Sequence, residues 1–308
     1  MQKSAMTSPA PLPRRLAIGL IAMISCTFAA NHVAARLAFD HGTGLLLAVL
    51  FRSGATALVL AALVAWQRPA LAMPPGMLRW QLLLGALVAT QSLCLYSAVA
   101  RIPVALALLV SNVCPVLLAL LTWGLGGPRP TRRAAVVMAV ALGGLLLALD
   151  VPARMAELGR GGGGDAWIAG IAFAFTAACV FALALWITDH RLKAMPGMWR
   201  SLMTVGSVFV LMVAAGASGL VPGGMRWPEA APGWWGLAAL VVLYGTAFTA
   251  MFVSLPRLDM ARNAPVMNAE PVATLLLGWW ILDQTLQPLQ LAGGAVVLAA
   301  IVALGRKG

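Results

Sequence analysis

Charge is what this chain has least of. Asp, Glu, Lys and Arg make up 10% of its 308 residues, against roughly 25% in an ordinary soluble domain. With so little polar surface the chain cannot cover itself as a soluble globule of this size. Four cysteines, Cys26, Cys94, Cys114 and Cys179, lie in apolar runs without CxxC spacing, which speaks against a metal site or a disulfide framework and for packed thiols. The three histidines, His32, His41 and His190, are scattered, and Asp189-His190 sits alone in a loop. A membrane enzyme acting on lipid-linked substrates needs a tighter constellation than that. No Walker loop is present, so this chain alone does not hydrolyse ATP to pump. No charged ring or carbonyl filter of a channel is visible either. No cofactor or metal is expected.

What fills the chain is apolar sequence, 61% of it. Ten runs are long enough to cross a bilayer, at about 16–36, 45–66, 79–100, 103–124, 132–150, 166–187, 198–220, 234–255, 263–282 and 288–305. The expected fold is therefore an all-α integral membrane protein of ten transmembrane helices. The net charge of +12 would suit nucleic acid, but its placement does not. Basic residues concentrate in alternate loops: Lys3, Arg14 and Arg15; Arg68 and Arg79; Arg129, Arg132 and Arg133; Arg191 and Lys193; Arg257 and Arg262; Arg306 and Lys307. The opposite loops hold Arg36, Arg52, Arg101, Arg154, Arg160 and Arg226. That asymmetry places both termini in the cytoplasm, and no basic, aromatic-interleaved face for nucleic acid remains. The first 35 residues imitate a signal peptide, but cleavage there would leave nine spans, so the segment reads as a retained first helix.

The chain also repeats itself. Asn112-Val-Cys-Pro115 recurs as Asn268-Ala-Glu-Pro271, and the same offset of 156 residues (268 − 112) lays Arg101 on Arg257 and Trp123 on Trp279. Arg, Asn, Pro and Trp are scarce inside apolar segments, so these matches carry weight. The expected organisation is a cytoplasmic tail (1–15), a five-helix repeat (16–150), an external Gly-rich linker (151–165) and a second five-helix repeat (166–308). With five spans in each half, equivalent helices cross in opposite directions, an inverted 5+5 repeat of the kind secondary transporters use. Tight hinges at Arg101–Pro103 and around Arg257–Asp259 suggest paired neighbours, the third span with the fourth and the eighth with the ninth.

Glu270 is the sole carboxylate well inside an expected span, where an ion is costly and generally serves a function. Helical spacing puts Asn263, Met267, Glu270 and Thr274 on one stripe, and the offset partners Ser111 and Cys114 lie on the matching stripe of the fourth span. Two roles suit Glu270: contact with a substrate ammonium or a proton, or packing beside the Pro kink with an Arg or Asn partner. Asn112 and Asn268 either satisfy carbonyls freed by Pro115 and Pro271 or bond substrate. In the first span Ser25, His32 and Arg36 share a face, and Thr27 pairs with Asn31. His32 is a cavity donor, a proton acceptor or merely hydrogen-bonded. Arg36 and Arg52 are expected near the external surface, reaching the interface, as gate elements or as a landing point for carboxylates. Gln91 and Tyr96 in the third span, Trp186 in the sixth, and Tyr244 and Thr246 in the eighth complete a candidate lining for a small amphiphilic solute.

Several of these segments resemble a known family. Asn31-His-Val-Ala-Ala-Arg36-Leu is similar to the first-helix signature of the EamA branch of the drug/metabolite transporter superfamily, and Phe51-Arg52 resembles the Arg opening its second helix. Ser111–Pro115 and Asn268–Pro271 are similar to its repeated Pro motif. Within that branch the chain most resembles the YddG-like amino acid exporters. The resemblance implies an inner-membrane carrier with a central cavity between the halves. The second half lacks a counterpart of the Asn31 and Arg36 pair, and Cys114 stands where the second half has Glu270, so unequal lining is expected. The expected function is export of amino acids or related small metabolites by alternating access, with drugs or other amphipathic organic compounds as the alternative cargo. Its partners are the lipid bilayer, the small-molecule substrate and, if coupled, protons.

Overall fold

The computed structural model describes residues 12–67, 73–127, 129, 132–148, 164–219, 224–254 and 269–305. Among them are eleven α-helices and no strand: α1 Arg14–Asp40, α2 Leu45–Gln67, α3 Leu78–Val99, α4 Val104–Ser111, α5 Cys114–Gly124, α6 Arg132–Ala148, α7 Gly164–His190, α8 Gly197–Ser218, α9 Ala231–Ser254, α10 Ala269–Leu282 and α11 Pro288–Gly305. Counting α4 with α5 as one span, seven are long and apolar enough to cross a membrane, and shorter apolar helices lie within α6, α10 and α11. The chain is thus a multi-pass membrane protein by length and composition.

Proline sets several helix starts. Pro13, Pro103 and Pro196 occupy the positions before α1, α4 and α8, and Pro288 opens α11. A first-turn N–H has no intrahelical acceptor, so its absence costs little there. Inside the fourth span the same chemistry breaks the helix. Pro115 offers no N–H to the Ser111 carbonyl, and the chain answers with tight turns, Val113 N to Val110 O at 3.1 Å and Val116 N to Val113 O at 2.9 Å. Helix α5 then starts afresh with Pro115 in its first turn.

Helices of the two halves interleave. α1 packs along α9 and α10, α3 along α7 and α8, α2 along α8 and α9, and α6 along α11. α4 and α5 lie against α7, and α4 also against α10. The expected pairing of the third span with the fourth is not the main contact: α3 gives its length to α7 and α8 instead. The α3–α4 corner is occupied from elsewhere. Arg36 of α1 donates from Nη1 to Val99 O at 2.8 Å and to Ile102 O at 3.3 Å, while Gln284 Oε1 accepts from Val104 N at 3.0 Å. Val99 is the residue four before Pro103, so Arg36 supplies the donor that the proline lacks.

Small residues set the closest approaches. A side chain on Gly236 of α9 would meet Ala38 N at 2.7 Å and Ala34 O at 2.9 Å on α1. One on Gly293 of α11 would run into the Gly144 carbonyl and Ala148 amide of α6. Backbone on backbone is the packing that membrane helices reach through glycine and alanine. At one end, the α1–α2 loop is stitched to the segment before α9, Gly44 N to Arg226 O at 2.9 Å and Glu229 N to His41 O at 3.0 Å. Beside that loop Phe51 meets Trp227 edge-on and Trp227 stacks on Trp234, an aromatic group of the sort found at membrane interfaces.

The four cysteines are free. Cys114 is buried, as a packed thiol should be, but Cys26 and Cys179 are exposed. A thiol is apolar enough to stand there. The expected Thr27–Asn31 pairing does not form: Thr27 Oγ1 donates to Met23 O at 2.8 Å, the backbone acceptor one turn back that a helical Thr reaches most easily.

Candidate functional site

Five helices bring polar groups together in the interior. From α1 come Asn31 and His32, both buried; from α10 comes Glu270 in the first turn. His32 Nε2 and Glu270 Oε1 stand 3.4 Å apart, with the His32 side chain 8% and the Glu270 side chain 24% exposed. The contact joins the first half to the second. Glu270 keeps a first-turn position where the helix dipole favours a carboxylate, and its carbonyl accepts from Thr274 Oγ1 at 2.8 Å. Asn263 and Met267 of the expected stripe, and the repeated Asn268, lie outside the described residues.

Against this pair stands a second group built around Arg52 of α2. Its Nη1 donates to the Tyr96 hydroxyl at 2.9 Å and its Nη2 to Ser92 Oγ at 2.6 Å, both on α3. The guanidinium carbon lies 4.5 Å from the Tyr96 ring centre and 4.2 Å from that of Tyr244 on α9. The chain has two tyrosines, and both are spent on this one cation. The His32 ring meets Tyr96 edge-on, 6.4 Å between centres, so the two groups are continuous: Glu270, His32, Tyr96, Arg52. The Asn31 amide also reaches toward the Tyr96 hydroxyl, although neither of its polar atoms completes a hydrogen bond of normal geometry. Phe28 and Phe248 extend the aromatic surface around Tyr244.

Arg52 corrects the sequence reading. Expected near the external surface, it is 5% exposed. Seven residues into α2, it sits about 10 Å along the helix from Leu45 at 1.5 Å per residue, too deep for its side chain to snorkel out easily while Tyr96 and Ser92 hold it. That depth was a readable signal. Arg36 does lie toward its helix end and is half-buried: Nε bonds both Asp40 oxygens at 2.8 and 2.9 Å, besides the two carbonyls at the α3–α4 corner.

Other candidates are placed elsewhere. Trp186 does not join the pair: it stacks on His190 at 4.8 Å, with Arg191 5.8 Å from its ring, near the end of α7. Ser111 Oγ donates to Ala107 O at 2.9 Å, a turn-internal bond. Asn112 is the C-cap residue of α4, its backbone N–H donating to Leu108 O at 2.8 Å. Pro115 is exposed and Pro271 buried, each in the first turn of its half-helix. Gln91 is half-buried and Thr246 exposed, and no bond ties either to the His32–Glu270 pair. Ser92, missed by sequence reasoning, is the hydroxyl that holds Arg52; nothing but its position one turn before Tyr96 distinguishes it from other small polar residues.

The two half-helices present different groups to their neighbours. Where α10 offers Glu270 to His32 of α1, α5 packs Cys114 against Ala178 and Ala182 of α7. Among the described residues no group of His, Cys, Asp and Glu could hold a metal ion.

The sequence pattern of the EamA-like transporter family matches the chain twice, over residues 15–149 and 168–306. Fifteen chains of solved structures are similar. One of them, described as "Crystal structure of protein", is 19% identical, covers 94% of this chain and 96% of its own, and superimposes with a TM-score of 0.62. At that identity the likeness is one of fold. No curated protein matches the chain.

Proposed function

The chain belongs to the EamA-like transporter family, membrane transporters with a broad range of substrates and not enzymes, and we propose that it exports amino acids or related small metabolites across the bacterial inner membrane by alternating access. The observation that carries this reading is the His32–Glu270 contact: a titratable pair at membrane depth that bridges the two halves. Intramembrane ionisable residues mark substrate and ion pathways. Glu270, partly exposed, takes the solute's ammonium, and His32 holds the carboxylate in place between turnovers.

The architecture proposed with it is an inverted 5+5 repeat with both termini cytoplasmic. Exchanging each helix of the first half for its counterpart in the second sends the packing pattern onto itself. The α1–α9 contact becomes α3–α7, α1–α10 becomes the contact of α4 and α5 with α7, and α2–α9 becomes α3–α8; α2–α8, α6–α11 and α4–α10 return themselves. Such a two-fold relation, with five spans per half, supports opposite insertion of the halves and rocking of one against the other. The helix break before Pro115 and the first turn of α10, which holds Pro271, act as hinges, and the Arg36 clamp at the α3–α4 corner as an outer gate.

Purified protein in liposomes is expected to carry labelled amino acids, and Glu270→Gln to change the rate or its pH dependence. Equal flux in vesicles with and without protein, across a panel of amino acids, would refute the reading.

A further inference from the structure

Arg52 carries a charge that nothing among the described residues neutralises. Guanidinium has five N–H donors, and two are engaged, by Tyr96 and Ser92. Nε, buried, has no hydrogen-bond partner. No carboxylate of the described residues lies within ion-pair distance: Glu270 is with His32, and Asp40 with Arg36. A buried cation without an anion is costly. Two hydroxyls and two aromatic faces lower that cost, but none of them supplies a negative charge. The arrangement resembles a binding post kept ready. Nε and one N–H of each terminal nitrogen have no hydrogen-bond partner among the described residues, and a carboxylate accepts two parallel bonds from donors of this kind. Tyr244 is half-buried and sits on α9, in the half of the protein opposite to Arg52, Ser92 and Tyr96. Relative movement of the halves therefore changes how the post is covered.

We infer that Arg52 is the anion site of this transporter and takes the carboxylate of the solute, while Glu270 takes the ammonium. The inference rests on the proposed transport reading and narrows its substrate class to solutes bearing a carboxylate, with the aromatic surface of Phe28, Tyr244 and Phe248 facing the side chain. Selectivity then comes from two opposite charges held on different helices, α2 and α10.

The test uses full-length protein in detergent and in liposomes, with phenylalanine, its methyl ester, phenethylamine and 3-phenylpropionate as probes. In the wild type, 3-phenylpropionate is expected to bind, and the ester and phenethylamine to compete with labelled phenylalanine at least tenfold more weakly than phenylalanine itself. In Arg52→Gln the affinity ratio of 3-phenylpropionate to phenethylamine should fall at least tenfold, and Arg52→Lys should restore part of it. Ester and amine competing as well as phenylalanine in the wild type overturns the inference, whatever the variants do. So does an unchanged acid-to-amine ratio in a well-folded Arg52→Gln. If Arg52→Gln does not fold, the wild-type competition and Arg52→Lys decide. Binding of 3-phenylpropionate without any amino acid flux would uphold the anion site and remove amino acid export, so the two claims fail separately.

Discussion

Replacing Arg36 by Gln tests how the first helix is tied to the rest of the protein. Arg36 makes two kinds of contact, and their magnitudes differ. The ion pair with Asp40 lies one turn along the same helix, with the Asp40 side chain 42% exposed, and exposed pairs of this spacing contribute about 0.3–0.5 kcal/mol. The bonds from Nη1 to Val99 O and Ile102 O are partly buried, and charged hydrogen bonds of that type contribute about 1.5–3 kcal/mol. Losing them also strands the Val99 carbonyl, which Pro103 cannot serve. Arg36→Gln should therefore lower stability by about 2–3 kcal/mol, and Asp40→Asn by about 0.5 kcal/mol. Thermal unfolding of the two variants in detergent, read by intrinsic tryptophan fluorescence, compares them under one condition. The drop in Tm for Arg36→Gln should be several times that for Asp40→Asn. Equal drops would mean that the ion pair, and not the carbonyl clamp, is what Arg36 provides, and the account of the α3–α4 corner would be wrong.

Gly293→Leu should destabilise by about 1–3 kcal/mol or prevent assembly, since it drives a side chain into the α6 backbone, whereas Gly143→Leu, with open space around it, should leave stability within about 0.5 kcal/mol of wild type; similar losses in both would remove the distinction. Gln284→Ala should cost about 0.5–2 kcal/mol, because Gln284 caps the first N–H of α4 from the other half of the chain, and urea or thermal unfolding measures it.

Much of this architecture is legible in residue order because membranes impose it. A bilayer forces backbone groups to bond within a segment, so the apolar runs become helices wherever the described residues cover them. Pro115 announces its own helix break. Glu270 and His32 are conspicuous as ionisable residues in apolar sequence, although their meeting is not, since 238 residues (270 − 32) separate them. Arg52 was misplaced for a related reason. Its neighbours Ser92, Tyr96 and Tyr244 come from two other helices, and nothing local to Phe51-Arg52 reports them. Depth along the helix was the cue available, and the general habit of long cationic side chains to reach for water outweighed it. Pairing across the Arg101–Pro103 hinge is real but minor beside the contacts α3 makes with α7 and α8. The rule that sequential elements lie side by side is a tendency, and here the corner is filled by Arg36 and Gln284 from distant segments. Trp186 shows the converse: an aromatic residue of the right type in the right span, spent on a stack with His190 at the helix end.

The interleaving of helices has a consequence for biosynthesis. α1, α2 and α3 take their principal partners from segments made much later, so the first half enters the bilayer with Arg52 lacking Tyr244 and with His32 lacking Glu270. Completion must wait until most of the polypeptide has been inserted, and contacts of such sequence separation form slowly. Until then Arg52 stands in the bilayer with only part of its final surroundings. Two separately expressed halves should be unstable singly and persist only when they are synthesised together.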